Sequence, residues 1–254
     1  MPSLTASPST IQQINRLNSQ AISNALVQGW EIAGRAHGAS VPYALFFTIV
    51  GLAIVGGLLL LGWTPFVFAA AGAFMLVGPA ILAGFFGIAA AVEQGNTPKL
   101  GDVLAGFGRA APALWVLAMV CALLFMIFMT DAAVLYAYMV GAEPVWLSGL
   151  LPPQEGVWRF LVWSGVSGAI VALLLYAFSA FSVPLLCERR AGLVQAVSVS
   201  VRIVMMNFPL AIFWAFLLST ATIASVLLLP LLPVTLPWLA FASRALYRHL
   251  LPVA

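Results

Sequence analysis

Few side chains in this sequence could do chemistry, and their placement narrows what that chemistry is. Asp131 stands inside an otherwise uncharged stretch, where an ionised group at bilayer depth costs about 2.5–3.5 kcal/mol on insertion scales. It reads either as a cation or proton site, with Tyr136 or Tyr138, or as a carboxylate that reaches the interface at the end of a membrane span. The two histidines, His37 and His249, fall beside basic residues at the borders of apolar segments. A haem–copper core needs several imidazoles inside its helices, so the pair leaves only a shared bis-histidine haem to consider. Cys121 and Cys187 lie in separate apolar segments, too few and too far apart for a disulfide framework or a thiolate metal site. No nucleotide-binding motif and no spaced nucleophile–base pair occurs. Catalytic, cofactor-binding and metal residues are therefore expected to be none, and nucleic acid is not expected as a partner.

The elements that must position these residues follow from composition. Of 254 residues, 63% are hydrophobic and 7% charged, whereas a soluble domain is about 25% charged. Lipid is the solvent that tolerates such a balance. Residues 1–40 predict a polar tail, without an early apolar run of the cleavable-signal type, and an amphipathic helix on the membrane surface. In that helix Ile11, Ile14, Leu17, Ala21, Ile22, Ala25 and Leu26 recur at helical spacing, and Trp30 marks the headgroups. Residues 41–250 predict an all-α transmembrane domain of about six helices, since a span needs about 20 apolar residues. The expected spans are Val41–Leu61, Phe66–Val92, Pro112–Tyr138, Val157–Leu186, and two short ones within 208–243 that turn near Thr220–Ser225.

The hairpins look repeated, over about 25–92, 100–187 and 193–250. Arg35 precedes Pro42, and Arg202 precedes Pro209, by the same interval, and Arg109 with Pro112 is a shortened version. Each of these prolines is expected in the first turn of a span, where a missing N–H costs least. The second helix of each hairpin carries an internal proline: Pro79, Pro184 and Pro233. The predicted unit is an amphipathic interfacial helix followed by two spans.

Charge sets the orientation. Nine of the ten basic residues fall at one set of span ends, and Arg159 alone at the other. The positive-inside rule then places both termini in the cytoplasm of a multi-pass inner-membrane protein. Trp146, Trp158 and Trp163 form the opposite aromatic belt. Arg189, Arg190 and Arg202 are candidate contacts to anionic lipids at the cytoplasmic face, or to a partner. Asn207, before Pro209, is expected to cap the fifth span. Ala83, Gly87 and Ala91 recur every four residues and predict a close helix–helix contact.

Three stretches carry a family resemblance: that from Pro79 (PAILAGFFGIAAAVEQGNTPKLGDVL), that from Val183 (VPLLCERRAGLVQAVSVSVRIVMMNFPLAIFW) and PWLAFASRALYRHL. They resemble an uncharacterised family of bacterial integral membrane proteins, a domain of unknown function, some of whose members are labelled a cytochrome c oxidase subunit. Glu93, Gly95 and Pro98, the series from Pro184 through Arg189, Arg190 and Asn207, and Tyr247-Arg248 carry the likeness over roughly residues 25–250. Many members resemble one another in two histidines four apart, where this chain has Phe241 and Ala245. The resemblance thus implies an accessory membrane protein rather than a haem-binding one. The expected function is a non-catalytic accessory or scaffolding subunit docking on other membrane subunits of a larger complex, respiratory or photosynthetic. The alternative is a small-solute transporter or lipid-binding membrane protein, with Asp131 and Arg202 as ligands and the proline-broken helices lining a cavity.

Overall fold

A computed structural model describes residues 15–67, 70, 78–141, 145 and 155–252 of the chain. The tail, Ile11, Ile14, much of the outer loop with Trp146, and part of the second expected span lie outside the described residues. The protein is nearly all-helical: α1 Ser19–Leu60, α2 Gly78–Glu93, α3 Gly101–Arg109, α4 Pro112–Met139, α5 Glu155–Ser179, α6 Ser182–Cys187, α7 Leu193–Met206, α8 Phe208–Leu227 and α9 Leu232–Leu250. Four described stretches are long and apolar enough to cross a membrane: Ser19–Leu60, Pro112–Met139, Glu155–Cys187 and Phe208–Leu227.

The surface helix and first span expected at the N-terminus form one helix, α1, begun by the Asn18 side chain, which accepts from Ala21 N–H (2.7 Å). Its 42 residues extend over about 63 Å at 1.5 Å per residue. Pro42 therefore lies inside a helix rather than in the first turn of one. Ala36, Ala39 and Ala44 are fully buried on both sides of it, packed with Phe85, Ala240 and Phe241. That packing continues the helix through the lost N–H. Pro112 and Pro209 do occupy the opening turns of α4 and α8.

The amphipathic face of α1 meets protein. Helix α9 runs antiparallel along it: Asn15 N–H donates to the Leu250 carbonyl (3.0 Å) and Trp238 Nε1 to the Leu26 carbonyl (2.8 Å). Gly29 is seated so closely that a Cβ there would lie 2.6 Å from the Ala242 nitrogen. Ala21, Ile22 and Ala25 consequently join the main core with Leu114, Leu186, Ile203, Trp214 and Leu246. That core sits at the basic end of the bundle. At the far end Phe66, Tyr136 and Phe160 pack ring against ring, and Val145 bridges the turn at Gly62–Thr64.

The turn after α8 falls later than Thr220–Ser225. Thr222 and Ser225 are buried within α8, and the Ser225 hydroxyl donates to the Ala221 carbonyl one turn back (2.5 Å), so these polar residues stay helical. The chain turns instead through the 3₁₀ segment Leu229–Leu231, around Pro230. Pro233 then stands in the opening turn of α9, and Pro237 is its internal proline. Pro184 likewise follows a break, between α5 and α6. The Ser200 hydroxyl on α7 repairs the break, accepting from Phe181 N–H (3.1 Å) and donating to the Ala177 carbonyl (2.8 Å). Backbone groups freed in lipid need such a partner.

The four-residue spacing of Ala83, Gly87 and Ala91 places small residues against α3. A Cβ on Gly87 would overlap the Asp102 carbonyl oxygen, and one on Gly106 the Ala83 carbonyl oxygen. Replacing Gly87 with Val should force α2 and α3 apart and cost about 1–3 kcal/mol, read as a lower unfolding midpoint in detergent. Gly34→Ala, at a helical site with open space around it, should leave the midpoint unchanged or raise it by up to about 1 kcal/mol.

Candidate functional site

The basic end is organised by two carboxylates in unfavourable positions. Glu93 is the last residue of α2, and Glu188 is the C-cap of α6. A helix C-terminus carries partial negative charge, so an acid there is repelled unless a cation answers it. Arg244 and Arg248 answer it from α9, one turn apart and hence on one face. Arg244 reaches Glu93 (2.5 Å) and Glu188 (3.5 Å). Arg248 reaches the same two acids, at 2.9 and 3.1 Å. Each guanidinium therefore bridges two helix ends, for which its rigid planar fork of five donors is well suited.

Burial is graded through the network. The Arg244 side chain is 6% exposed and Glu188 17%, against 34% for Glu93 and 39% for Arg248. Arg244 is thus the desolvated centre. Its guanidinium lies 5.9 Å from the Phe86 ring centroid, and its Nε has no hydrogen-bond partner among the described residues. Burial pulls its pKa below the ordinary guanidinium value, while Glu93 opposes that shift. Tyr247, fully buried between the two arginines in sequence, donates its hydroxyl proton to Glu188 (3.1 Å) and accepts from Arg190 (2.9 Å). Burial, followed by the charge of Glu188, raises its phenol pKa.

The paired arginines after α6 each cap a helix. Arg189, with φ of 52°, donates to the carbonyls of Arg109 (2.8 Å) and Gly108 (3.3 Å) at the end of α3. Arg190 donates to the carbonyls of Leu251 (2.7 Å) and Pro252 (2.9 Å) beyond α9. Cations at helix C-termini satisfy orphan carbonyls and the dipole together. Two cavities flank the network. One, of about 470 Å³, lies among Phe86, Gly106, Arg109, Arg189 and Arg248. The other, of about 350 Å³, lies among Gln28, Glu93, Phe241, Ala245 and His249.

The other candidate residues are scattered. Asp131 is exposed on α4, away from this cluster, and makes no hydrogen bond or ion pair among the described residues. Tyr136 is buried with Phe66 and Phe160, and Tyr138 is exposed. Arg202 is exposed on α7. Asn207 stands at the N-cap of α8 but does not cap it with its side chain. Pro209 removes one of the N–H groups a cap would serve, and the amide turns to Leu17 N–H (3.0 Å) and the Ile203 carbonyl (3.0 Å) instead. His249 lies beside Asn15, and His37 stands about five turns further along α1, so the two imidazoles do not converge on one iron. Among the described residues no three of His, Cys, Asp and Glu form a metal-binding group. Glu93, Glu188 and Arg244 were readable only as turn and border residues. The available signal was an acid at the C-terminal end of each of two apolar helices, where isolated electrostatics disfavours it.

Removing Arg244 leaves two carboxylates facing helix C-termini with Arg248 alone. Arg244→Met should lower stability in detergent by about 3 kcal/mol, and Arg248→Met, at a more exposed position, by clearly less. Equal losses would contradict the central place given to Arg244. The raised Tyr247 pKa has its own signature. Above the ordinary phenol value of about 10 the unfolded chain releases a proton that the folded one keeps, so stability falls as pH rises past that value. Tyr247→Phe should flatten that alkaline loss, seen by comparing unfolding midpoints at pH 8 and about pH 11.

No curated protein and no solved structure matches the chain. Residues 67–188, ending at the carboxylate that Arg244 and Arg248 hold, match the family model described as Predicted integral membrane protein (DUF2189). The match takes in the stretch from Pro79 and only the start of that from Val183, while PWLAFASRALYRHL lies beyond it. By that match and by its long apolar helices, this is a membrane protein, and what its residues 67–188 are similar to is a family of unknown function.

Proposed function

We propose that the chain is a non-catalytic accessory or scaffolding subunit of the inner membrane, held to neighbouring membrane proteins by helix packing. In this reading about six spans form three hairpins, with both termini in the cytoplasm. The observation that carries it is how the side chains are divided. Two acids, Glu93 and Glu188, and four arginines of the basic end, Arg189, Arg190, Arg244 and Arg248, are committed to one another and to helix ends. Outside that end, α1 and α4 turn large apolar side chains outward, among them Phe46, Ile49, Leu52, Met119, Leu123 and Ile127. On α1 no described residue comes within 4 Å of where a Cβ on Gly56 or Gly57 would lie, and glycines on an open face let another helix backbone approach. The association with a respiratory or photosynthetic complex follows from the label that some members of the resembling family carry.

Purification through a C-terminal tag in mild detergent, followed by mass spectrometry, should recover a membrane protein in fixed stoichiometry. A solitary monomer would overturn the subunit reading. In the same preparation the tag should be cleaved by protease in inverted membrane vesicles and protected in right-side-out ones. The reverse pattern would overturn the orientation.

A further inference from the structure

The larger cavity at the basic end is not needed to explain the ion network, and its chemistry is that of a binding site. At about 470 Å³ it falls within the 300–1,000 Å³ range of small-ligand sites. Ala83 and Phe86 of α2 give it an apolar lining, and Arg109, Arg189, Arg244, Arg248 and the carboxylate Glu188 line it as well. Glu93 and Glu188 neutralise Arg244 and Arg248. Arg109 and Arg189 meet no carboxylate among the described residues. Arg189 spends its Nε and one Nη on backbone carbonyls, which leaves its other Nη and the whole Arg109 guanidinium as donors. Glu93 and Glu188 thus cancel Arg244 and Arg248, and the exposed pair Arg109 and Arg189 remains without a carboxylate among the described residues. Two adjacent forks beside an apolar lining match an anion with several acceptor oxygens and an apolar or neutral body. Arg109 also directly precedes the membrane span α4, so the cavity opens at the level where headgroups lie.

We infer that this cavity binds a phosphate group, with Arg109 as its principal ligand and Arg189 as the second. The phosphate comes either from a lipid headgroup or from solution. This goes beyond the subunit reading and does not depend on it, since a monomer could hold the same anion.

The test uses the full chain in detergent micelles, with native mass spectrometry after adding phosphatidylglycerol or phosphatidylcholine of matched acyl chains. Phosphatidylglycerol should be retained preferentially. Arg109→Gln should reduce its retention about five-fold, the effect of one basic residue near an anionic surface. Arg159→Gln, at the opposite end and paired with Glu155, should leave retention unchanged. Ala90→Phe, which fills the cavity from α2 without altering charge, should reduce retention as Arg109→Gln does. Millimolar inorganic phosphate that displaces the lipid from wild type, and binds Arg109→Gln more weakly, assigns a soluble phosphate. Failure to displace assigns the lipid headgroup. Equal retention of the two lipids, with no phosphate binding, overturns the site. So does unchanged retention in Arg109→Gln, or in Ala90→Phe while that variant remains monodisperse.

Discussion

Two carboxylates at the negative ends of their helices are the constraint around which the basic end is built. Glu93 and Glu188 close α2 and α6, where the partial negative charge of the helix end repels a carboxylate and a cation delivered from elsewhere offsets it. The cations arrive on α9, far along the chain. One helix face presents Arg244 and Arg248, and each grips both acids. The arrangement ties the ends of α2 and α6 to α9. It also fixes where α9 must lie, and so where α1, packed along α9, must lie.

Basic residues at this end finish helices: Arg189 on the carbonyls of α3, Arg190 on those beyond α9. A lipid-facing arginine and a helix-capping arginine look identical in a linear sequence, and only the second needs a particular carbonyl within reach. Arg109 is one of several cations here that meet no carboxylate among the described residues; its carbonyl accepts from Arg189, and it borders a cavity.

Prolines mark the same economy in the apolar part. A proline in the middle of a span frees a carbonyl that lipid cannot satisfy. In α1 the surrounding alanines pack tightly enough to carry the helix past Pro42. Before Pro184 the helix stops, and a serine hydroxyl from α7 takes both loose backbone groups. After α8 a 3₁₀ turn absorbs Pro230. Three prolines of similar sequence setting therefore have three structural outcomes, decided by the neighbour that happens to be packed beside each.

Hydrophobic runs and charge placement determined on their own that this is a helical membrane protein, because span length and the cost of burying charge are properties of the chain and the solvent alone. They also located the opening turns at Pro112 and Pro209 and the small-residue face around Gly87. The extent of α1, the turn at Leu229–Leu231 and the use of Asn207 as a bridge to Leu17 were settled only by tertiary contact. So was the pairing of Glu93 and Glu188 with arginines at positions 244 and 248. The reason is physical: a carboxylate at a helix end, an arginine at a membrane border and an amide before a proline each have several local solutions of similar energy. The choice among them is made by whichever distant group arrives within hydrogen-bonding distance once the helices pack.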